Sequence, residues 1–301
     1  MKTLTTTLLA TALALGNAAH AERYDLPPQD IGVVGKIQII SAREGETFAE
    51  IGREYALGFE ALEKANRSLD PLYLKEGNQV FLPTRFILPN TPREGIVINL
   101  TEMRLYYYTP DQSAVYAYAI GIGRQGRDTP LGVHSIIEKR KDPSWTPPAS
   151  IRAEHAAEGH PLPAVVPPGP ENPLGTRAMR LSNPSYLIHG THRPDGVGMR
   201  VSSGCIRLHP ESVEELFDMV SNGTKVNIVK QHMKVGWYGD SLYLEYHSPL
   251  EEDGIPDDIA LQQARDVVYK AVGERGYQVA DELIDAVVRE ASGLPVEVAY
   301  Y

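Results

Sequence analysis

The 301-residue sequence holds a single cysteine, Cys205. An intramolecular disulfide is therefore excluded, and the sulfur is a packing residue, half of an intermolecular bridge or a reactive thiol. Basic residues are also scarce: 29 Lys and Arg stand against 39 Asp and Glu, a formal net charge of -10. Sequence-blind attraction to phosphates needs a basic face, so nucleic acid is not expected as a partner. Past the N-terminus no apolar run approaches the roughly 20 residues of a membrane-spanning helix, and no transmembrane segment is expected. Paired cysteines and a His-Glu-x-x-His helix are both absent. Without them a zinc site built from His189, His192 and Cys205 has little support, and neither a metal nor a cofactor is expected. Phe and Trp are few, at 5 and 2, while Tyr numbers 16. Such rings suit strands first, and saccharide or peptide grooves second.

What is present begins with an address. Met1 and Lys2 give a positive start, Leu4 to Leu15 carries no charge, and Ala19-His20-Ala21 has the small-x-small form of a signal-peptidase site. Residues 1–21 read as a cleaved export signal, with Glu22 as the first mature residue. No cysteine follows the cleavage point to carry a lipid.

The rest divides at changes of texture. Residues 22–36, with Pro27 and Pro28, read as a lead-in. Residues 37–83 form a small unit: an apolar strand, Thr47 as the N-cap of a helix from Phe48, a second helix from Phe59 to Asn66, and a strand Gln79 to Leu82. From 95 to 230 short strands alternate with Gly and Pro, and a single amphipathic helix spans Pro210 to Met219, with Val213, Leu216, Phe217 and Val220 on one face. That pattern predicts a mostly β domain, a sandwich or partly closed barrel. Residues 139–178 are rich in proline and read as a long loop or lid, with Trp145 as a substrate contact or a packing anchor. Residues 231–301 form a mixed extension, with a strand at Leu242 to Tyr246 and helical periodicity over Ile259 to Val272 and Val279 to Ala291.

Chemistry concentrates on Ile188-His189-Gly190-Thr191 and Ser202-Ser203-Gly204-Cys205-Ile206-Arg207. A thiol with an ordinary pKa near ~8.5 is mostly protonated at neutral pH and needs a base to attack a carbonyl. His189 is the candidate base, with its second ring nitrogen held by a nearby carbonyl. The amides around Ser203, Gly204 and Cys205 are candidate oxyanion donors, and Arg207 a candidate holder of a substrate carboxylate. Tyr186, at the head of the His189 strand, joins them as a candidate substrate contact.

Two resemblances follow. Ile39 through Glu46-Thr47, Ile51-Gly52 through Tyr55, Leu62 through Asn66 and Gly77-Asn78-Gln79-Val80-Phe81-Leu82-Pro83 resemble a LysM module, a small βααβ domain that binds glycans such as peptidoglycan. Ile188-His189-Gly190-Thr191, Gly196 to Gly198, Val201 through His209 and Thr129-Pro130-Leu131-Gly132 resemble the signature of YkuD-type L,D-transpeptidases over residues 95 to 230. Many members have His before the Gly-Cys pair, where this chain has Ser203. The second resemblance implies Cys205 as nucleophile, His189 as proton donor and acceptor, and the Gly190 carbonyl as the group orienting the imidazole. It further implies a peptidoglycan tetrapeptide stem as donor and a periplasmic location. The acceptor would be a second stem, a lysine of an outer-membrane lipoprotein, or water. The competing reading is a non-catalytic peptidoglycan-binding scaffold.

Overall fold

A computed structural model describes residues 22–301; the export-signal reading of residues 1–21 lies outside the described residues. Nine strands make one sheet, in the order Glu22–Asp25, Ala114–Ala119, Arg104–Tyr108, Gly95–Asn99, Lys225–Val229, Gly132–Lys141, Arg177–Leu181, Leu187–His189, Ile206–Arg207. The sheet curls on itself. Gly121 and Arg207 exchange backbone hydrogen bonds of 2.8 and 2.9 Å, joining the ninth strand to the chain that leaves Ala114–Ala119.

Inside the curl lie Ile96, Ile98, Leu105, Tyr118, Ile136, Met179, Ile188, Ile206 and Ile228. Helix α4 (Pro210–Met219) adds Val213, Leu216 and Phe217. Each such side chain stabilises the fold by about 1.5–3 kcal/mol through removal from water. A second apolar cluster covers the outer face, where Val97, Tyr106, Tyr108 and Val115 meet Tyr24, Val34 and Phe86. Burial on both faces explains why Arg104–Tyr108 has no polar alternation and why its tyrosines are interior residues.

The lead-in is structured. Glu22–Asp25 is the first strand of the large sheet, and Val33–Gly35 pairs with Arg85–Ile87, so the lead-in contributes two strands. Residues 38–82 form strand, helix, helix, strand, with Gln38–Ser41 antiparallel to Gln79–Leu82. Helix α1 (Phe48–Glu54) starts at Thr47 in a capping box with Glu50, and helix α2 is Phe59–Ala65. Asn66 ties α2 to the last strand, donating from Nδ2 to the Phe81 carbonyl at 2.9 Å and accepting from its amide at 2.8 Å. The unit docks through α2: the Phe59 amide donates to the Val197 carbonyl, and Gly58 packs on Gly198 so closely that a Cβ there would meet Gly58 Cα at 2.2 Å.

Residues 139–178 are not one loop. They contain the end of Gly132–Lys141, helix α3 (Ala149–Ala157) and the start of Arg177–Leu181. Helix α3 buries no residue, which leaves α4 as the main helix of the β domain. The C-terminal segment forms its own four-stranded sheet, Met233–Tyr238, Ser241–Tyr246, Val296–Tyr300 and Gln278–Val279, covered by helices α5 (Asp257–Val272) and α6 (Asp281–Glu290).

A buried polar cluster joins this extension to the large sheet. The Lys234 ammonium lies 2.8 Å from Glu102 and 2.9 Å from Glu245, and His247 Nε2 lies 2.7 Å from Glu245. Arg104 and the Tyr106 hydroxyl also reach Glu102. Among the described residues Glu102, Glu245 and His247 come close enough together to hold a cation, but the Lys234 ammonium already occupies that place. Among the described residues no helix is long and apolar enough to cross a membrane.

Candidate active site

Leu187–His189 and Ile206–Arg207 run parallel as neighbours, with Ile188 opposite Ile206 and His189 opposite Arg207. Ile188 and Ile206 are both fully buried in the core. Side chains alternate along a strand, so His189, Cys205 and Arg207 all project to the opposite face, where they line one cleft. The Leu208 amide donates to the His189 carbonyl at 2.9 Å and zips the two strands together beyond the pair.

His189 is 3% exposed, and its Nδ1 lies 2.6 Å from the Gly190 carbonyl oxygen. A carbonyl only accepts, so Nδ1 carries the proton and Nε2 keeps a lone pair. Burial pushes the imidazole down to about 3, the Arg207 charge adds to this, and the Gly190 carbonyl opposes it. Cys205 is half-buried. Burial pushes its thiol up, against the Leu187 backbone hydrogen bond and the charges of Arg207 and Arg180. Both shifts favour the neutral forms at rest, as a thiol that needs a base to attack requires.

The turn before Cys205 is pinned at three points. The Ser202 hydroxyl donates to the Cys205 carbonyl at 2.6 Å and accepts from the Gly204 amide at 3.1 Å, while Thr129 Oγ1 donates to the Gly204 carbonyl at 2.9 Å. Gly204 sits at φ +104°, and a Cβ there would lie 2.8 Å from Tyr186 Cε1. Glycine is thus required, because the backbone conformation and the Tyr186 ring each exclude a side chain. Since the Gly204 amide is already bonded to Ser202, it is removed from the set of free oxyanion donors. The Ser203 and Cys205 amides flank it.

Tyr186 and Trp145 both line the cleft, as does Arg207, whose Nε is buried without a hydrogen-bond partner. Trp145 and Val166 exchange two backbone hydrogen bonds of 2.8 Å, and Asn172 donates from Nδ2 to the carbonyls of Pro143 and Pro167, so the proline-rich segment is internally braced. Glu154 on α3 reaches across the cleft to Arg124 and Arg127. Sequence reasoning missed Glu154 and the supporting roles of Ser202 and Thr129. Helix α3 had a readable signal in Pro147-Pro148 before an alanine-rich run.

The model of the YkuD L,D-transpeptidase catalytic domain matches residues 93–228, a span that contains both His189 and Cys205. The probable L,D-transpeptidase YcfS of Escherichia coli strain K12 is 42% identical over 98% of this chain and 94% of its own length. The chain belongs to the L,D-transpeptidase family. Two further relatives from the same strain are probable L,D-transpeptidases: YbiS, 38% identical over 96% of this chain and 97% of its own, and ErfK/SrfK, 37% identical over 96% and 95%. Those alignments run nearly end to end and so take in residues of the strand-helix-helix-strand unit and of the C-terminal extension, which lie outside the matched catalytic span of this L,D-transpeptidase.

Proposed function

We propose that this L,D-transpeptidase works in the periplasm on peptidoglycan tetrapeptide stems through a thioester on Cys205. The observation that carries this reading is the parallel strand pair that puts His189 and Cys205 on one face of one cleft, with Nδ1 of the imidazole held by the Gly190 carbonyl. His189 Nε2 takes the thiol proton as sulfur attacks the carbonyl of the third, L-configured residue of the stem. The C–N bond to the terminal D-alanine breaks, the proton passes to the departing amine, and an acyl-enzyme remains. The developing oxyanion is met by the amides of Ser203 and Cys205, with Gly204 acting through its backbone shape.

An amine then resolves the thioester. A second stem gives a third-to-third cross-link, a lipoprotein lysine gives an envelope tether, and water gives a carboxypeptidase product. The strand-helix-helix-strand unit acts as a LysM module that holds the glycan near the cleft. A carbapenem, whose ring carbonyl is an acyl donor, would acylate the same sulfur.

The test is release of D-alanine from purified disaccharide-tetrapeptide. Cys205→Ala and His189→Ala should each abolish it while circular dichroism stays that of the parent, and release that persists in either variant removes the assignment.

A further inference from the structure

Six arginines line the cleft of a chain whose net charge is -10. Four are paired. Arg124 and Arg127 meet Glu154, and Arg140 and Arg180 meet Glu138. The other two are Arg193 and Arg207. Among the described residues neither guanidinium has an ion pair or a side-chain hydrogen bond, and Arg207 Nε is buried with no acceptor. They are neighbours in charge as well: burial lowers the proton affinity of Arg207, the Cys205 sulfur opposes this, and the Arg193 charge lowers it a little further. His192 lines the same cleft and is pushed down by burial and then by both guanidiniums, against the charge of Glu171. Glu171, the remaining acid on the cleft, is in ion-pair range of neither.

Their placement is set by the backbone. Arg207 follows Cys205 by two residues on the same strand face, with Cα atoms about 7 Å apart. Arg193 is brought round by a turn after His189, where Thr191 Oγ1 accepts from the Arg193 amide at 2.9 Å. Two like charges with no counter-ion, beside a candidate nucleophile, call for an anion supplied by the substrate.

We infer that Arg193 and Arg207 form a clamp for the free terminal carboxylate of the leaving D-amino acid, and so select a stem that ends one residue after the attacked carbonyl. This rests on the acyl-transfer reading and adds what the cleft measures. One residue of substrate spans at most about 3.6 Å, which keeps the carboxylate over the strand that carries Cys205 and Arg207. A stem longer by one residue moves its carboxylate that much further out and sets a neutral amide against the guanidiniums. The leaving group departs as the free amino acid, its amine receiving the proton that Cys205 gave to His189.

The experiment measures thioester formation on the mature full chain by intact mass in single turnover, with three donors: the disaccharide-tetrapeptide, the same peptide ending in a carboxamide, and the pentapeptide. The free acid should react roughly 10- to 100-fold faster than the carboxamide, the range for a charge-assisted hydrogen bond. The pentapeptide should lag likewise. Arg193→Gln, at an exposed site, should erase most of the preference by slowing the acid while leaving the carboxamide rate within about twofold, and Arg193→Lys should restore part of it. Equal wild-type rates on acid and carboxamide, or an Arg193→Gln variant that slows both alike, would overturn the clamp. No thioester from any donor would instead overturn the acyl-transfer reading beneath it.

Discussion

His189 is expected to stay a competent base far into acid. Its imidazole is buried and pushed down to about 3, against the ordinary value of 6.5. A base at 6.5 is only about 3% neutral at pH 5, so acylation would fall about 30-fold between neutrality and pH 5. With the folded value near 3, more than about 95% remains neutral there, and kcat/KM for acylation should change by less than about twofold between pH 5 and 7. The same burial has a stability cost of known sign. The unfolded imidazole takes up a proton near 6.5 and the folded one only near 3, so stability contributed by the neutral ring is lost as pH falls through that window, amounting to about 2 kcal/mol by pH 5. The assay is stopped-flow acylation by a carbapenem across this range, on protein checked for folding at each pH. A 30-fold loss with a midpoint near 6.5 would refute a desolvated, neutral His189.

Two other perturbations follow from the structure. Gly204→Ala places a methyl 2.8 Å from the Tyr186 ring at φ +104°, and should cost about 1–3 kcal/mol and most of the acylation rate, as read by thermal unfolding and intact mass. A variant with parental stability and rate would mean that the turn is not held as described. Lys234→Met leaves the buried carboxylates of Glu102 and Glu245 without their shared ammonium, and should destabilise the fold by about 3–5 kcal/mol in urea unfolding. A loss under about 1 kcal/mol would contradict a charged cluster at that interface.

The active-site strands were legible because their chemistry and their periodicity coincide. Ile188 and Ile206 announce the core face, which leaves His189 and Cys205 the other, and Pro210 with Glu211 marks the start of α4. Thr47 with Glu50 announces α1 in the same way. Other elements were hidden by long-range effects. The strand Arg177–Leu181 lies between two neighbours in the sheet, so tertiary pairing fixes it rather than local alternation. Glu22–Asp25 is a strand only because Ala114–Ala119, some ninety residues later, offers it an edge. The prolines of the lid masked α3, whose first residue simply follows one of them. At the site, the bonds of the Ser202 hydroxyl to Gly204 and Cys205 make it a brace. The pairing of Gly204's amide is a matter of fractions of an ångström, which residue order does not carry.

The most direct measurement is the mass of the wild-type protein quenched in acid during turnover of disaccharide-tetrapeptide. A gain equal to the donor less D-alanine, mapped by peptide analysis to Cys205 and missing from Cys205→Ala, is the expected result. Steady release of D-alanine with the sulfur of Cys205 dispensable, or with the acyl group carried elsewhere, would contradict a thioester mechanism built on His189 and Cys205.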